Sequence, residues 1–257
     1  MPNQESSKIE VINISKNFNI GYRRSDSALA QFLSYFSTRE SKKSIKVLDN
    51  VSFQVSAGEN VGLIGGNGSG KSTLLRIIAS IYQTDSGSIK VAPNVIYMNG
   101  FDFGLKPKLT MRENIFLTGA IMGLGVSEIK KRLPEIVSFS GLEEFVDTKI
   151  YQFSCGMLNR LCFSTITHCL QQKVPDLILL DEVFSAGGDA SFQDKAISKM
   201  EEFLHSGSAV ILVSHELELI RKYCHRAILL EKGKIKISGE TSEVISTYLS
   251  GKDNLKS

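Results

Sequence analysis

Residues 58–78 read GENVGLIGGNGSGKSTLLRII: a short apolar strand (Val61, Leu63, Ile64), a glycine-rich loop, and a helix that opens with Lys71, Ser72 and Thr73. Gly65, Gly70, Lys71 and Ser72 satisfy the pattern G-x-x-x-x-G-K-[ST], and Asn67, Gly68 and Ser69 fill the loop between them. Glycines lack a Cβ, so this backbone can curl and aim successive N–H groups at one phosphate. The helix start adds its own unpaired N–H groups and a positive dipole end at the same point. Lys71 then reaches the β and γ phosphates, and the Ser72 hydroxyl is placed to ligate Mg²⁺. The stretch implies a bound nucleoside triphosphate with Mg²⁺.

Composition narrows the class further. The chain has 257 residues, 42% of them hydrophobic, and a formal net charge of +3. That is enough apolar material for a sizeable core, and the charge is too small to argue for nucleic acid. No run approaches the ~18 apolar residues of a membrane-spanning helix, and MPNQESSKIE lacks the apolar core of a signal peptide. A membrane role would therefore come through a partner or surface attachment. Cys155, Cys162 and Cys169 repeat every seven residues. On a helix that spacing is about 10 Å, too far for one shared ion, so they read as small core residues. Cys224 and His225 have no neighbours that would complete a ligand set.

Along the chain, Ile9 to Ile14 and Val47 to Val55 read as strands. Between them, Leu29, Phe32, Leu33 and Phe36 form one apolar helical face within 28–36, with Arg23 and Arg24 before it and Arg39, Lys42, Lys43 and Lys46 after it. Such a basic-flanked helix suits a membrane interface or a partner's groove, or packs on its own core. Residues 87–97 read as a turn with two short strands, and 110–119 and 127–139 as helices, with Ser127 as N-cap and a kink or break at Pro134. The next helix starts near Gly156. Leu177 to Asp181 (LILLD) and Ala209 to Val213 are continuous apolar runs of the buried parallel-strand kind. Residues 227–237 read as a hairpin turning at Lys232-Gly233, and 241–249 as a terminal helix. Apolar runs alternating with helices imply an α/β architecture with a parallel central sheet.

The remaining chemistry sits at strand ends. A strand ending in Asp181 beside the P-loop strand would bring a carboxylate to the phosphates to hold Mg²⁺. Glu182 follows, expected on the opposite face, where it suits a general base or water-positioning group. His215, in VSHE after the next buried strand, is either a structural histidine or a donor to the γ-phosphate.

Taken together, GGNGSGKST, FSCGM at a helix start, LLDE and VSH resemble the nucleotide-binding subunit of an ATP-binding-cassette (ABC) transporter over residues 9–249. The resemblance implies an α/β P-loop NTPase with a mostly parallel central sheet, an N-terminal antiparallel β part and an inserted helical subdomain. It implies a single nucleotide-binding domain over 1–250, with a core lobe at 1–100 and 176–240, the amphipathic insertion at 19–46, a helical subdomain at 101–175 and a polar tail at 251–257. It places Ser154 and Gly156 over the γ-phosphate of a second copy, and Phe18 as the aromatic residue stacked on adenine. Lys71, Glu182 and His215 become the catalytic set, with Ser72 and Asp181 at the metal.

Within that family the chain looks most like subunits that export bacterial polysaccharides, in FSCGM, in DEV after LILL, and in PKLTMREN. This implies an ATPase that drives export of lipid-linked polysaccharide, O-antigen first and capsule or teichoic acid next. It would act as a homodimer on two copies of a polytopic membrane subunit at the cytoplasmic face of the inner membrane, with no nucleic acid partner. An importer, a lipid exporter or a soluble ABC ATPase of DNA repair or translation are the alternatives. The chain departs from the common pattern in three places. Residues 98–102 (MNGFD) lack the usual glutamine, Asp189 stands one position late after Glu182, and Cys155 and Met157 vary the signature loop.

Overall fold

The computed structural model describes residues 7–20, 43–99, 104–170, 174–182 and 190–253. The amphipathic segment at 28–36, the glutamine-free turn at 100–102 and the turn carrying Asp189 lie outside them.

Strands β1 (Ser7–Ile20), β2 (Lys43–Ser56) and β4 (Ser86–Val91) form an antiparallel sheet in the order β2-β1-β4. A second, six-stranded sheet runs β5 (Val95–Asn99), β6 (Leu177–Asp181), β7 (Ala209–Val213), β3 (Asn60–Ile64), β8 (Arg226–Glu231) and β9 (Lys234–Glu240). All its pairs are parallel except the β8–β9 hairpin. The helices are α1 (Lys71–Ile78), α2 (Met111–Ile121), α3 (Val126–Ser140), α4 (Cys155–Cys169), α5 (Ala190–Leu204), α6 (Leu217–Tyr223) and α7 (Thr241–Asp253). This is the expected α/β P-loop fold, with its N-terminal antiparallel sheet, mostly parallel central sheet and inserted helices.

The apolar runs explain the layering. Every residue of β6 and of β7 is buried, and they feed both faces of the central sheet. Leu177, Leu179 and Ile211 join α1 and the antiparallel sheet in one cluster. Ile178, Leu180 and Leu212 join α5 and α6 in another, on the other face. Each such leucine or isoleucine, fully buried, contributes about 1.5–3 kcal/mol. A third cluster, with Met111, Ile115, Ile129, Ile136 and Leu161, holds the inserted helices together. Helix α4 serves two clusters, because Phe163 and Ile166 pack on the sheet side while Leu161 and Cys169 face the insertion.

Several local expectations change. β1 runs on through Phe18, because register shifts between Val11 and Asn17 let it keep pairing with β2; Asn13 adopts φ 50 within that stretch. Gly125, not Ser127, is the N-cap of α3, and Pro134 sits inside a helix that continues unbroken to Ser140. Cys162, Cys169 and Cys224 are buried, whereas Cys155 is exposed at the start of α4 rather than in the core. Burial pushes the Cys169 thiol up to about 11 and that of Cys224 up to about 12, so both stay protonated. Helices α5 and α6 are structure that the sequence reading did not name. The hairpin at Lys232-Gly233 forms as read, both residues having positive φ (48 and 78).

Candidate nucleotide site

The loop between β3 and α1 is shaped by its neighbours. A Cβ on Gly65 would come within 2.2 Å of the Leu230 carbonyl oxygen, so no side chain fits there. Gly70 caps α1 at φ 108, a left-handed conformation that favours glycine, and its carbonyl accepts from the Leu74 N–H at 2.9 Å. The first N–H groups of α1 have no acceptor within the helix. The Ser69 N–H donates to the Gly66 carbonyl at 3.2 Å, and the Gly233 N–H donates to the Ser69 carbonyl at 3.0 Å, tying the loop to the β8–β9 hairpin. Lys71 Nζ donates to the carbonyls of Gly65 and Gly66 at 2.8 and 3.1 Å, which keeps the ammonium folded over the loop.

A cavity of about 460 Å³ opens above this loop. Its walls are Asn67, Gly68, Ser69, Gly70, Lys71, Ser72 and Thr73 on one side, and Asp181, Glu182 and His215 on the other, with Val47 at the edge. The fold thus brings together all three polar residues that the sequence places at strand ends. It does so by a different route from the one expected. β6 is not beside the P-loop strand, because β7 stands between β6 and β3. Asp181 nevertheless borders the cavity, since the parallel strands all end on that side.

The two acids also depart from simple alternation. Glu182 adopts φ 58, which turns the chain at the end of β6, so Asp181 and Glu182 both line the cavity rather than facing opposite ways. The Glu182 N–H donates to the Val213 carbonyl at 3.0 Å, fixing that turn against β7. The His215 N–H donates to Glu182 Oε2 at 3.3 Å, and its Nε2 lies 3.3 Å from Oε1. Asp181 is 7% exposed, and the Tyr97 hydroxyl donates to its Oδ2 at 3.1 Å. The sequence reading gives Tyr97 no contact with Asp181. Its signal was positional: β5 pairs with β6 so that Asn99 faces Asp181, and Tyr97 shares Asn99's face.

The other predicted residues lie apart. Ser154 N-caps α4, its hydroxyl accepting from the Met157 N–H at 3.2 Å, and neither Ser154 nor Gly156 lines this cavity. Phe18 is half-buried and meets Tyr82 edge-on at 5.6 Å, with Lys16 Nζ 5.5 Å from its ring centre. As for a cation, the Ser72 hydroxyl and the Asp181 carboxylate border one cavity and are hard oxygen donors of the kind Mg²⁺ takes. The donor set fits.

The family model for "ABC transporter" matches residues 48–185, which run from β2 through the P-loop to Asp181 and Glu182. The chain belongs to the ABC transporter family. It is an ATP-binding, ATP-hydrolysing subunit of that family, related to the ATP-binding proteins of polysaccharide and teichoic-acid exporters. The ABC transporter protein AbcA of Aeromonas salmonicida is 35% identical over 93% of this chain and 75% of its own length. The O-antigen export system ATP-binding protein RfbB of Klebsiella pneumoniae is 37% identical over 78% of this chain and 80% of its own length. The teichoic acids export ATP-binding protein TagH of Lactococcus lactis is 35% identical over 96% of this chain. The chain spans 51% of TagH, about half of it. Among solved structures, a dimeric post-hydrolysis state of the ATP-binding cassette MJ0796 with ADP and Pi is 23% identical at TM-score 0.69, covering 91% of this chain and 98% of that one. That likeness is one of fold. Among the described residues, no helix of this ABC subunit is long and apolar enough to cross a membrane.

Proposed function

We propose that this chain drives export of a lipid-linked polysaccharide, O-antigen in the first instance, across the bacterial inner membrane. It would work as a homodimer at the cytoplasmic face, on two copies of a separate membrane subunit. The observation that carries the chemistry is the meeting of the P-loop with Asp181, Glu182 and His215 in one cavity. The relationship to RfbB supports the cargo. TagH, which aligns over nearly the whole chain, favours teichoic acid as the second reading.

The steps follow from the residues in hand. ATP phosphates sit on the N–H groups of the loop and of α1, and Lys71 exchanges the carbonyls of Gly65 and Gly66 for phosphate oxygens. Ser72 and Asp181 would hold Mg²⁺, which would neutralise charge on the transferring phosphoryl group. Glu182 orients and deprotonates the attacking water, and His215, already against Glu182, donates to the γ-phosphate. Phe18 offers its ring to the adenine. Ser154 and Gly156 of a second copy close the site, because the start of α4 presents N–H donors and a dipole end to an anion. Hydrolysis removes the group they hold, and the dimer reopens.

Deleting the gene is expected to abolish surface polysaccharide, and the wild-type gene, but not Glu182→Gln, should restore it. Unchanged polymer on the surface of the deletion strain would refute the export reading. Ser154 gives a sharper test of the shared site. Ser154→Ala removes the cap of α4 and should cost about 1 kcal/mol of stability. Ser154→Asp keeps a capping oxygen but sets a carboxylate against the γ-phosphate, so stability should hold while ATP hydrolysis falls roughly tenfold or more. An unaltered hydrolysis rate in Ser154→Asp would take that residue out of the site.

A further inference from the structure

We infer that Tyr97 is a positioning residue for the metal, holding the Asp181 carboxylate in place through its hydroxyl, with Arg76 of the helix that carries Ser72 beside it. The inference rests on the reading that Ser72 and Asp181 hold Mg²⁺.

Asp181 ends a strand buried at every position. A carboxylate taken that far from water needs hydrogen-bond donors to satisfy it and to hold it in one orientation. Among the described residues, the Tyr97 hydroxyl is the one group hydrogen-bonded to it, at 3.1 Å. The register makes this contact a property of the sheet. Asn99 stands opposite Asp181 and Tyr97 opposite Leu179, so Tyr97 is on the same face as Asp181, one step back along the strand. An aromatic side chain spans that diagonal, and a shorter one would not.

The other end of the arrangement is α1. Ser72 and Arg76 are four residues apart on that helix and share a face. Arg76 donates to the Tyr82 hydroxyl at 3.4 Å and lies close enough to Tyr97 for the two to interact electrostatically. A guanidinium only donates, so it does not compete with Asp181 for the Tyr97 proton. An ordinary phenol keeps its proton at neutral pH, so the Tyr97 hydroxyl serves as the donor.

The result is a run of neighbouring side chains from α1 to β6 by way of β5. It links the two oxygen donors assigned to the metal, Ser72 above Arg76 on the helix and Asp181 beside Tyr97 on the sheet. Tyr97 hydrogen-bonds Oδ2 of the carboxylate and so holds it in one orientation. Removing the hydroxyl frees the carboxylate to rotate and leaves its buried oxygen without a donor.

The test uses the full chain saturated with a non-hydrolysable ATP analogue and titrated with Mn²⁺, whose EPR spectrum reports the bound ion directly. Tyr97→Phe keeps the ring and its packing. It should raise the half-saturating Mn²⁺ concentration about tenfold, the low end for partners of metal-binding groups. Analogue affinity in EDTA should stay at the wild-type value, while the melting temperature falls modestly because a buried carboxylate oxygen loses its donor. Arg76→Gln should move the Mn²⁺ value in the same direction by less. If Tyr97→Phe lowers the melting temperature or the EDTA affinity and leaves the Mn²⁺ value untouched, Tyr97 is only a packing residue and the inference is overturned. Asp181→Asn separates this failure from a deeper one. A shift in Asp181→Asn without a shift in Tyr97→Phe overturns the role of Tyr97 alone. No shift in Asp181→Asn overturns the metal reading itself, and the role of Tyr97 with it.

Discussion

Glu182→Gln is expected to bind ATP as the wild type does and to hydrolyse it about a thousandfold more slowly, within the 10²–10⁴ that a positioned general base contributes. The amide keeps the shape of the side chain and a hydrogen-bonding partner for His215, whose Nε2 lies 3.3 Å from Oε1 in the wild type. It cannot take a proton from water. The backbone at Glu182 is held at φ 58 and by its N–H to the Val213 carbonyl, neither of which depends on the side-chain charge. Folding should therefore be unaffected, and the loss should fall on turnover alone. Phosphate release from the variant in its membrane complex is the measurement, and a wild-type rate would assign the base elsewhere.

Lys71→Ala acts one step earlier. Its ammonium now donates to the carbonyls of Gly65 and Gly66, and binding trades these neutral acceptors for charged phosphate oxygens. Losing a charge-assisted contact of this kind is worth about 2–3 kcal/mol, which is roughly thirtyfold to more than a hundredfold in ATP affinity. The loop keeps its other ties, from Ser69 to Gly66 and from Gly233 to Ser69, so the apo protein should melt near the wild-type temperature. Calorimetric titration with ATP in EDTA reads the effect without the metal. Wild-type affinity there would mean that the phosphates do not sit on this loop.

Much of this was legible because the signals are local. The P-loop, LILLD, the apolar β7 and the Lys232-Gly233 turn each carry their structure in a few consecutive residues. What escaped was set by pairing at a distance. Nothing in LILLD says that β7 will stand between it and β3, so Asp181 reaches the cavity from two strands away. Alternation put Asp181 and Glu182 on opposite faces, but alternation ends where the strand ends, and with the left-handed turn at Glu182 both line the cavity. Tyr97 is an ordinary strand residue until the β5–β6 register sets it beside Asp181. Helix α5 was missed although Phe192, Ala196, Met200 and Leu204 recur every four residues and pack into one cluster, because polar residues crowd between them. For the site, the sequence named the groups, while the sheet decides how they are braced.

On the proposed function, this chain holds only part of its catalytic site, the P-loop, the two acids and His215, and Ser154 and Gly156 of a second copy complete it. The most direct measurement is the mass of Glu182→Gln by sedimentation, with and without ATP. The account predicts a monomer without nucleotide and, with ATP, a dimer retaining two ATP per pair, which reverts to monomer when Ser154→Asp is added. A Glu182→Gln protein that binds ATP and stays monomeric, or a dimer indifferent to Ser154→Asp, would contradict it.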